Sequence, residues 1–337
     1  MIKRGTSLKP LNSFGVQAKA ALFAVAKNKK DLAVLLKDKR FTFAWILGGG
    51  SNTIFCNSPQ QPIIHVAISG IKIMEESAED VVVQVGAGMN WHDLVLWSLD
   101  QGFGGLENLS LIPGNVGAAP IQNIGAYGVE LQDVFEKCSV MFRNNQTVET
   151  FDQKACRFGY RDSIFKNELK NKVVITDLSL RLRKKNFQLH TSYGALQQEL
   201  ASNKITNPSP KDISQAVINI RSTKLPDPKH LGNAGSFFKN PIVSDKQLKN
   251  LKKSFSEIPY YPQSKRYHKI PAAWLIEKAG LKGARDGDVG IHKNHALVLV
   301  NYGNASGHDI KAFSIMVQQK VQRYFGIQLD PEVNFCC

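Results

Sequence analysis

The chain has 337 residues, of which 43% are hydrophobic and 21% are charged. This length provides for two or three domains with buried cores, and no apolar run reaches the roughly 20 residues that a membrane-spanning helix needs. The first residues are basic, but no apolar stretch follows them, which argues against a secretory signal and favours the cytoplasm.

Lysine and arginine outnumber aspartate and glutamate by 43 to 28, which gives a formal net charge of +15. An excess of basic residues attracts polyanions, including nucleic acids. The lysines, however, are scattered over helix-like stretches such as 27–39 and 246–253, as on solvated helix faces. We therefore predict no nucleic-acid partner, while the same field suits small polyanions such as dinucleotides and nucleotide sugars.

The five cysteines are odd in number and have no Cys-x-x-Cys spacing. This pattern predicts neither a disulfide framework nor a metal site. The adjacent Cys336 and Cys337 are expected to form a solvent-exposed tail, with a redox-active pair as the alternative.

Residues 22–54 have the pattern of a strand, a helix and a second strand. The helix is predicted to begin after Asn28, whose side chain can cap it, with Asp31 in its first turn. The second strand ends in Gly48-Gly49-Gly50-Ser51-Asn52. Successive backbone N–H groups in such a turn can form an anion-binding concavity, and the serine and asparagine can add hydrogen bonds to a pyrophosphate. No Gly-Lys-Ser/Thr follows, so ATPase or kinase chemistry is not favoured.

A second glycine pair, Gly86-Ala87-Gly88, follows the predicted strand 81–85. It resembles the start of a dinucleotide-binding Gly-x-Gly-x-x-Gly motif. Trp91, however, occupies the position of the third glycine, where close packing of a helix on a strand requires a small residue. We predict a tight turn that leads into a helix over 91–101.

Residues 111–130 contain four glycines and two prolines and almost no charge. Their apolar residues follow neither the strand period nor the helix period. Glycine lets main-chain N–H groups approach a ligand without a Cβ in the way, and long irregular loops in compact domains are usually functional. We predict a buried loop that cradles a cofactor, with a tight connection between two sheets as the alternative.

Two alternating stretches, 134–142 and 147–151, are joined by Asn144-Asn145 and predict a β-hairpin. A further strand is predicted over 173–182. Between them lies Arg161, whose guanidinium can bind a carboxylate bidentately or stabilise a developing enolate. A surface turn at Arg161-Asp162 is the alternative.

Helices are predicted over 193–202 and 210–223, after which Pro226 and Pro228 suggest a domain boundary. Small residues then lead to Ser236 and two phenylalanines, a pattern typical of a pocket edge that presents a hydroxyl beside a flat ligand. No Gly-x-Ser-x-Gly motif surrounds this serine, so hydrolase chemistry is not favoured. The remaining α+β domain is predicted to contain helices over 247–255, 272–279 and 310–325, a turn over 260–263 and a strand over 296–300. Glu332, near its end, is either an exposed carboxylate or a half-buried acid with a raised pKa.

Together and in this order, the motifs resemble the UDP-N-acetylenolpyruvoylglucosamine reductase family. The stretches that carry the resemblance are 8–15, 47–52, 112–128, 157–163, 224–228, 232–241 and 331–333. The resemblance implies an FAD-dependent, NADPH-consuming reductase of peptidoglycan precursor synthesis, whose substrate is UDP-N-acetylglucosamine enolpyruvate. The implied fold is α+β, with a two-part FAD-binding region of the vanillyl-alcohol-oxidase (PCMH) type and a C-terminal α+β substrate-binding domain. The implied boundaries are 1–68, to which a strand in 326–337 returns, then 69–225 and 226–325.

The resemblance also implies roles for individual residues. Ser236 would protonate C2 of the enolpyruvyl group after hydride passes from flavin N5 to C3, and Arg161 and Glu332 would stabilise the enolate and its carboxylate. The residues implied to bind FAD are Gly48, Gly50, Ser51, Asn52, Pro113, Gly114, Gly117, Ala118 and Gly125. Those implied to bind the UDP-sugar are Tyr193, Lys224, Asn240, Tyr261 and Lys269.

Tyr193-Gly194 places the chain in the longer, type I branch of the family, in which a tyrosine loop covers the substrate. No metal, nucleic acid or membrane partner is expected, and the protein is expected to be a monomer. Two departures from the family pattern matter: Ala118-Ala119 stand where some relatives have hydroxyl residues, and the chain ends soon after Glu332, which leaves little to hold this acid. A different flavin oxidase and a non-enzymatic nucleotide-sugar or nucleic-acid binding module are the alternatives.

Overall fold

The structure, a computed structural model, describes residues 2–337. Its α-helices are α1 Lys29–Lys37, α2 Trp91–Asp100, α3 Gln153–Cys156, α4 Gly194–Ser202, α5 Pro210–Lys224, α6 Asp245–Ser254, α7 Ala272–Lys278 and α8 Gly307–Phe325. Short 3-10 helices lie at Lys9–Leu11, Lys39–Phe41, Glu107–Leu109, Val116–Gln122 and Leu131–Asp133.

The strands, in chain order, alternate with these helices. They are β1 Ile2–Ser7, β2 Lys19–Ala26, β3 Trp45–Leu47, β4 Thr53–Phe55, β5 Ile63–Val66, β6 Ile71–Glu76, β7 Asp80–Gly86, β8 Gly125–Ala126, β9 Val129–Glu130, β10 Phe135–Phe142, β11 Val148–Asp152, β12 Val173–Arg183, β13 Gly232–Ser236, β14 Ile242–Ser244, β15 Tyr261–Ser264, β16 Tyr267–Lys269, β17 Arg285–Asp286, β18 Val289–Ile291, β19 Val298–Asn301 and β20 Asn334–Cys336.

The chain packs into two units. Unit 1 comprises 2–6, Ala20–Gly49 and Gln60–Thr223, and unit 2 comprises Ser7–Lys19, Gly50–Pro59 and Lys224–Cys337. The change of unit after Thr223 falls close to the predicted boundary at 225. The three-domain division into 1–68 with 326–337, 69–225 and 226–325 stays a prediction.

Unit 1 contains a sheet of order β1-β2-β5-β3, in which β2, β5 and β3 are parallel. The strand β5 lies between β2 and β3, so the two strands predicted around α1 are not neighbours. The cap predicted for α1 is confirmed: the Asn28 side chain accepts a hydrogen bond from Asp31 N at 2.8 Å, and the Asp31 carboxylate accepts one from Lys27 N at 3.0 Å. Leu32 and Leu36 lie on the apolar face of α1 and are buried in the core.

The second sheet of unit 1 has the order β11-β10-β12-β7-β6 and is antiparallel. The predicted hairpin is confirmed as β10 and β11. The central strand β12 is buried at almost every position because its two faces meet different apolar clusters. Leu178, Leu180 and Leu182 pack with α2, and Val174 packs with α1.

The glycine-rich stretch 111–130 was expected to lack regular structure, and this expectation is wrong for part of it. Val116–Gln122 is a 3-10 helix, and β8 and β9 form a short antiparallel pair. Proline fixes φ near its helical value, which suits a short 3-10 turn that needs few internal hydrogen bonds, so Pro120 is compatible with it. The tight turn predicted at Gly86 is confirmed by a hydrogen bond from Met89 N to Gly86 O at 3.1 Å.

Unit 2 contains an antiparallel sheet of order β13-β19-β18-β17 that shares its core with α7 and α8. It also contains a three-stranded sheet of order β14-β16-β15 and the parallel pair β20-β4. The turn predicted over 260–263 is instead mostly strand, since β15 pairs with β16. Within residues 2–337 no helix combines the length and the apolar character that crossing a bilayer would require.

Candidate active site

Three glycine-rich turns meet in unit 1. A Cβ added to Gly49 would lie 3.2 Å from Gly114 Cα and 2.6 Å from the Asn115 side-chain oxygen, and one added to Gly117 would lie 2.6 Å from Ala87 Cβ. Gly117 N also donates to Ala87 O at 2.8 Å. Only residues without a Cβ allow the turns at 48–49, 86–88 and 114–117 to pack this closely.

These turns leave amide groups for a ligand. Outside the helices and strands, residues 2–337 contain no backbone hydrogen bond donated by Gly49 N or Ser51 N. Backbone N–H groups that follow one another without partners form an anion-binding concavity. The chain around 48–51 therefore fits the pyrophosphate of a dinucleotide such as FAD.

The other predicted FAD residues differ in exposure and in their partners. Pro113 and Ala118 are exposed, and Gly114 and Gly125 are half-buried. Asn52, expected to bind pyrophosphate, uses its side-chain N–H₂ to donate to Glu332 O at 2.9 Å within unit 2.

Arg161 lies beside the glycine-rich stretch of unit 1. Its guanidinium donates to Asn123 O at 3.4 Å and to Gly125 O at 2.5 Å. The residue has a φ of +54°, and the turn around it is closed by reciprocal backbone hydrogen bonds between Gly159 and Asp162. The predicted turn is confirmed, and the role of Arg161 towards a carboxylate or an enolate stays a prediction. Strained backbone of this kind is concentrated at functional sites.

Tyr193 is an exposed residue that immediately precedes α4. Its ring meets the ring of Tyr127 edge-on, with centroids 5.3 Å apart. Tyr127 also has a positive φ, of +49°. The two phenols form an aromatic pair at the edge of unit 1, and the sequence predicted only the first of them.

Ser236 ends β13 in unit 2 and is exposed, whereas the next two residues, Phe237 and Phe238, are buried. An irregularity in the pairing of β13 with β19 lies just before it, where Gly235 has a φ of +69°. The two buried rings anchor the strand while the bulge turns the serine outward. The Ser236 hydroxyl is thus exposed at the end of β13, and its place at a pocket edge beside a flat ligand stays a prediction.

Glu332 lies close to Ser236 within unit 2. Glu332 N donates to Phe237 O at 2.8 Å, so the two candidate residues belong to adjacent backbone segments. The residue is half-buried and not exposed, while the raised pKa suggested for it stays a prediction. The Asn52 side chain and the pairing of β20 with β4 hold this short C-terminal segment. The chain thus positions Glu332 despite ending soon after it.

The expectation for the C-terminal cysteines is wrong. Cys337 forms a disulfide with Cys56, with Cα atoms 4.8 Å apart, and Cys336 is buried. The pairing could not be read from the sequence because 281 residues separate the two cysteines. The parallel pairing of β20 with β4 brings their ends together.

Cys337→Ser is expected to lower the free energy of unfolding by about 2–4 kcal/mol under oxidising conditions, since the bond constrains a long loop of the unfolded chain. Thermal unfolding with and without a reductant checks this. The wild-type protein should lose stability on reduction, and the variant should not. Equal midpoints for the oxidised wild type and the variant would contradict the expectation.

Three predicted substrate residues lie on or beside the three-stranded sheet of unit 2. Tyr261 and Lys269 are directly opposite each other in the pairing of β15 with β16. Asn240 precedes β14, and its side-chain oxygen accepts a hydrogen bond from Ala272 N at 2.9 Å at the start of α7. The exposed Tyr261 and the half-buried Lys269 are thereby brought together, whereas the Asn240 oxygen supports a helix.

Lys224 ends α5 and is exposed. Burial lowers the pKa of His295, and the nearby charges of Lys224, His292 and Lys282 lower it further. Lys224 and Lys282 supply the positive charge of this cluster in unit 2, which suits phosphate groups. Sequence reasoning missed the two histidines, although their spacing in Ile291-His292-Lys293-Asn294-His295, after a buried strand, is a signal that could have found them.

Comparison with known proteins decides the family. A family model described as the UDP-N-acetylenolpyruvoylglucosamine reductase C-terminal domain matches residues 227–336, and an FAD binding domain model matches residues 20–150. The UDP-N-acetylenolpyruvoylglucosamine reductase of Flavobacterium johnsoniae is 49% identical over 333 residues, which cover 99% of each chain. That of Pseudomonas aeruginosa is 46% identical over 330 residues, which cover 97% of each chain.

The chain belongs to the UDP-N-acetylenolpyruvoylglucosamine reductase family. The crystal structure of a reductase of this name from Thermus caldophilus has a TM-score of 0.69 at 22% identity and covers 99% of this chain and 98% of its own. This likeness shows that the fold is shared from end to end. The predicted α+β class, with an FAD-binding region and a C-terminal domain of this family, is confirmed, and the protein is an FAD-dependent oxidoreductase.

Proposed function

We propose that this chain reduces the enolpyruvyl group of UDP-N-acetylglucosamine enolpyruvate to give UDP-N-acetylmuramate in peptidoglycan precursor synthesis. The observation that carries the proposal is the 49% identity, over 99% of both chains, with a UDP-N-acetylenolpyruvoylglucosamine reductase. An exposed hydroxyl at Ser236 beside the segment of Glu332 supports it independently, because the reaction needs a proton donor.

The cofactor is proposed to bind on two sets of residues. The amides of the 48–51 turn would receive the pyrophosphate, together with Ser51 and Asn52. The close-packed turn at Pro113, Gly114, Gly117 and Ala118, and Gly125 beyond it, would lie against the flavin. Because Ala118 has no hydroxyl, contacts there come from backbone groups.

The chemistry that FAD supplies when bound is hydride transfer, from NADPH to C3 of the enolpyruvyl group. Negative charge then develops at C2 and spreads into the carboxylate. Arg161 is proposed to stabilise this charge with its guanidinium, assisted by Glu332, and Ser236 Oγ is proposed to donate a proton to C2. One hydride and one proton are added across the double bond, and NADP⁺ leaves.

Substrate binding is proposed to use Tyr193, Lys224, Asn240, Tyr261 and Lys269. The cations suit the diphosphate, and the tyrosines suit the uracil and sugar. NADPH and the nucleotide sugar are proposed to take turns at one face of the flavin, which predicts ping-pong kinetics. We further infer a cytoplasmic monomer, which cell fractionation and size-exclusion chromatography check.

Separate half-reactions test the function. NADPH added without oxygen is expected to bleach the flavin absorbance, and UDP-N-acetylglucosamine enolpyruvate added next is expected to restore it. Recovery of the absorbance with oxygen alone, and not with the UDP-sugar, would instead indicate an oxidase. A colourless protein that binds nucleotide sugars without oxidising NADPH would indicate a binding module.

A further inference from the structure

Arg221 has a buried nitrogen without a partner. It lies in the last turn of α5, it is half-buried, and its Nε is fully buried with no hydrogen-bond partner within residues 2–337. Buried polar groups are almost always hydrogen-bonded, and leaving a charged donor unsatisfied is costly. A buried donor of this kind can be satisfied by a bound molecule that carries an acceptor.

The contacts of α5 show where this arginine lies. Ser214 Oγ is hydrogen-bonded to Ser110 Oγ at 2.7 Å in the interior, and Val217 belongs to an apolar cluster against which Tyr127 packs. Residues three and four apart share a helix face, so Ser214, Val217 and Arg221 form one row. The row faces the start and the end of the glycine-rich stretch 111–130.

The ionisable neighbours of Arg221 include a second arginine, Arg161, and the phenol of Tyr127. Burial lowers its pKa, and Arg161 lowers it further, whereas Tyr127 acts in the opposite direction. Arg221 in turn contributes to the lowered pKa of His92, whose main cause is burial and whose ring accepts a hydrogen bond from Leu111 N at 3.0 Å. Arg161, Tyr127 and His92 are thus ionisable neighbours of Arg221, and the positive charge of Arg221 would stabilise an anionic oxygen bound at its Nε.

We propose that Arg221 is a binding residue for an anionic, carbonyl-type oxygen of the bound reactants, a role that rests on the function proposed above. Two reactants carry such an oxygen: the pyrimidine ring of the reduced flavin and the carboxylate of the enolpyruvyl group. A guanidinium fixed on a helix suits both, because its planar fork matches oxygens held in a plane. Arg161 and Arg221 would then act on the same reaction from two elements of unit 1.

The test uses Arg221→Gln and Arg221→Lys, with Arg157→Gln as the matched control, since Arg157 lies in the same unit but is exposed and paired with Glu168. For each holoenzyme, the fluorescence of FAD released on dilution gives the affinity for the cofactor. The change of flavin absorbance on adding UDP-N-acetylglucosamine enolpyruvate without NADPH gives the affinity for the substrate.

Loss of one charge-assisted hydrogen bond should weaken one of these affinities by about 10–100-fold in Arg221→Gln, and Arg221→Lys should recover part of it. A loss confined to FAD assigns the oxygen to the flavin, and one confined to the UDP-sugar assigns it to the carboxylate. The proposal would be overturned if both affinities stayed unchanged, as they should in the control. It would also be overturned by a lower unfolding midpoint in the FAD-free form of Arg221→Gln, because a structural role, unlike ligand binding, acts without the ligand. A wild-type protein that binds FAD but not the UDP-sugar would count against the proposed function, while the FAD measurement still tests Arg221.

Discussion

Ser236→Ala is expected to lower turnover by about 10²–10⁴-fold, the contribution usual for a positioned general acid, while the reduction of bound flavin by NADPH stays close to the wild-type rate. The two half-reactions respond differently because only the second needs a proton at carbon. Hydride transfer from NADPH involves neither C2 of the substrate nor the serine hydroxyl.

The structure makes this substitution a clean test. Ser236 is exposed at the end of β13, and the buried Phe237 and Phe238 hold the backbone on its far side. Removing one oxygen there leaves no cavity in the core and no buried partner unsatisfied. Any large effect on turnover therefore reflects chemistry and not unfolding.

Rapid-mixing measurements of flavin absorbance follow the two steps separately. Ser256→Ala serves as a control, since it also removes an exposed hydroxyl from unit 2, one that donates to the Glu257 carboxylate at 3.5 Å. It is expected to leave the second half-reaction near its wild-type rate. Equal slowing of both half-reactions in Ser236→Ala would exclude the role of proton donor and indicate a general disturbance of the site.

Local features of the fold could be predicted from the sequence because their causes are local. The cap of α1 depends on Asn28 and Asp31, three residues apart, and the β10–β11 hairpin depends on the turn at Asn144-Asn145. The helix α2 begins at Trp91, directly after the predicted tight turn at Gly86. In each case the residues that decide the structure are within a few positions of one another.

The features that the sequence did not predict depend on residues far apart in the chain. The strand β5 enters between β2 and β3, and Cys56 bonds to Cys337 across 281 residues. No local sequence pattern predicts the position of β5 or the disulfide, because loop closure over such distances is decided by tertiary packing. Arg221 lies between these two cases. It places a charge on the face of α5 that also carries Ser214 and Val217, and this interruption of the buried face is visible in the sequence.

The candidate site also combines predicted and unpredicted features. Residue types and motif order predicted Ser236, Arg161 and Glu332 as site residues, and the structure adds the contacts that position their backbone and side chains. A backbone hydrogen bond links Glu332 to Phe237, and a turn with a φ of +54° directs Arg161 to the carbonyls of Asn123 and Gly125. Their convergence on the flavin is the part of the proposal that the half-reactions test.

Gly50→Ala is expected to destabilise unit 2 by about 3 kcal/mol or more, combining the strain of a left-handed backbone with severe overpacking. The φ of Gly50 is +65°, and a Cβ there would lie 1.8 Å from Leu11 O and 3.1 Å from Asn12 Cα. Neither neighbour can move freely. Ser13 N donates to Gly50 O, and the Asn12 side chain is bonded to Leu8 O and to both backbone groups of Val16.

Gly15→Ala is the matched control, because Gly15 has the same φ of +65° but a Cβ there would meet nothing within 4 Å. This variant should lose only the cost of the backbone conformation, about 1–2 kcal/mol. Denaturant unfolding of both variants therefore separates the strain from the overlap, and equal losses would show that the Leu11 segment yields without cost. The FAD content of the purified proteins adds a second comparison. If the 48–51 turn binds pyrophosphate, displacing Gly50 should reduce the bound flavin while Gly15→Ala retains it, because only the first substitution moves the amides of that turn.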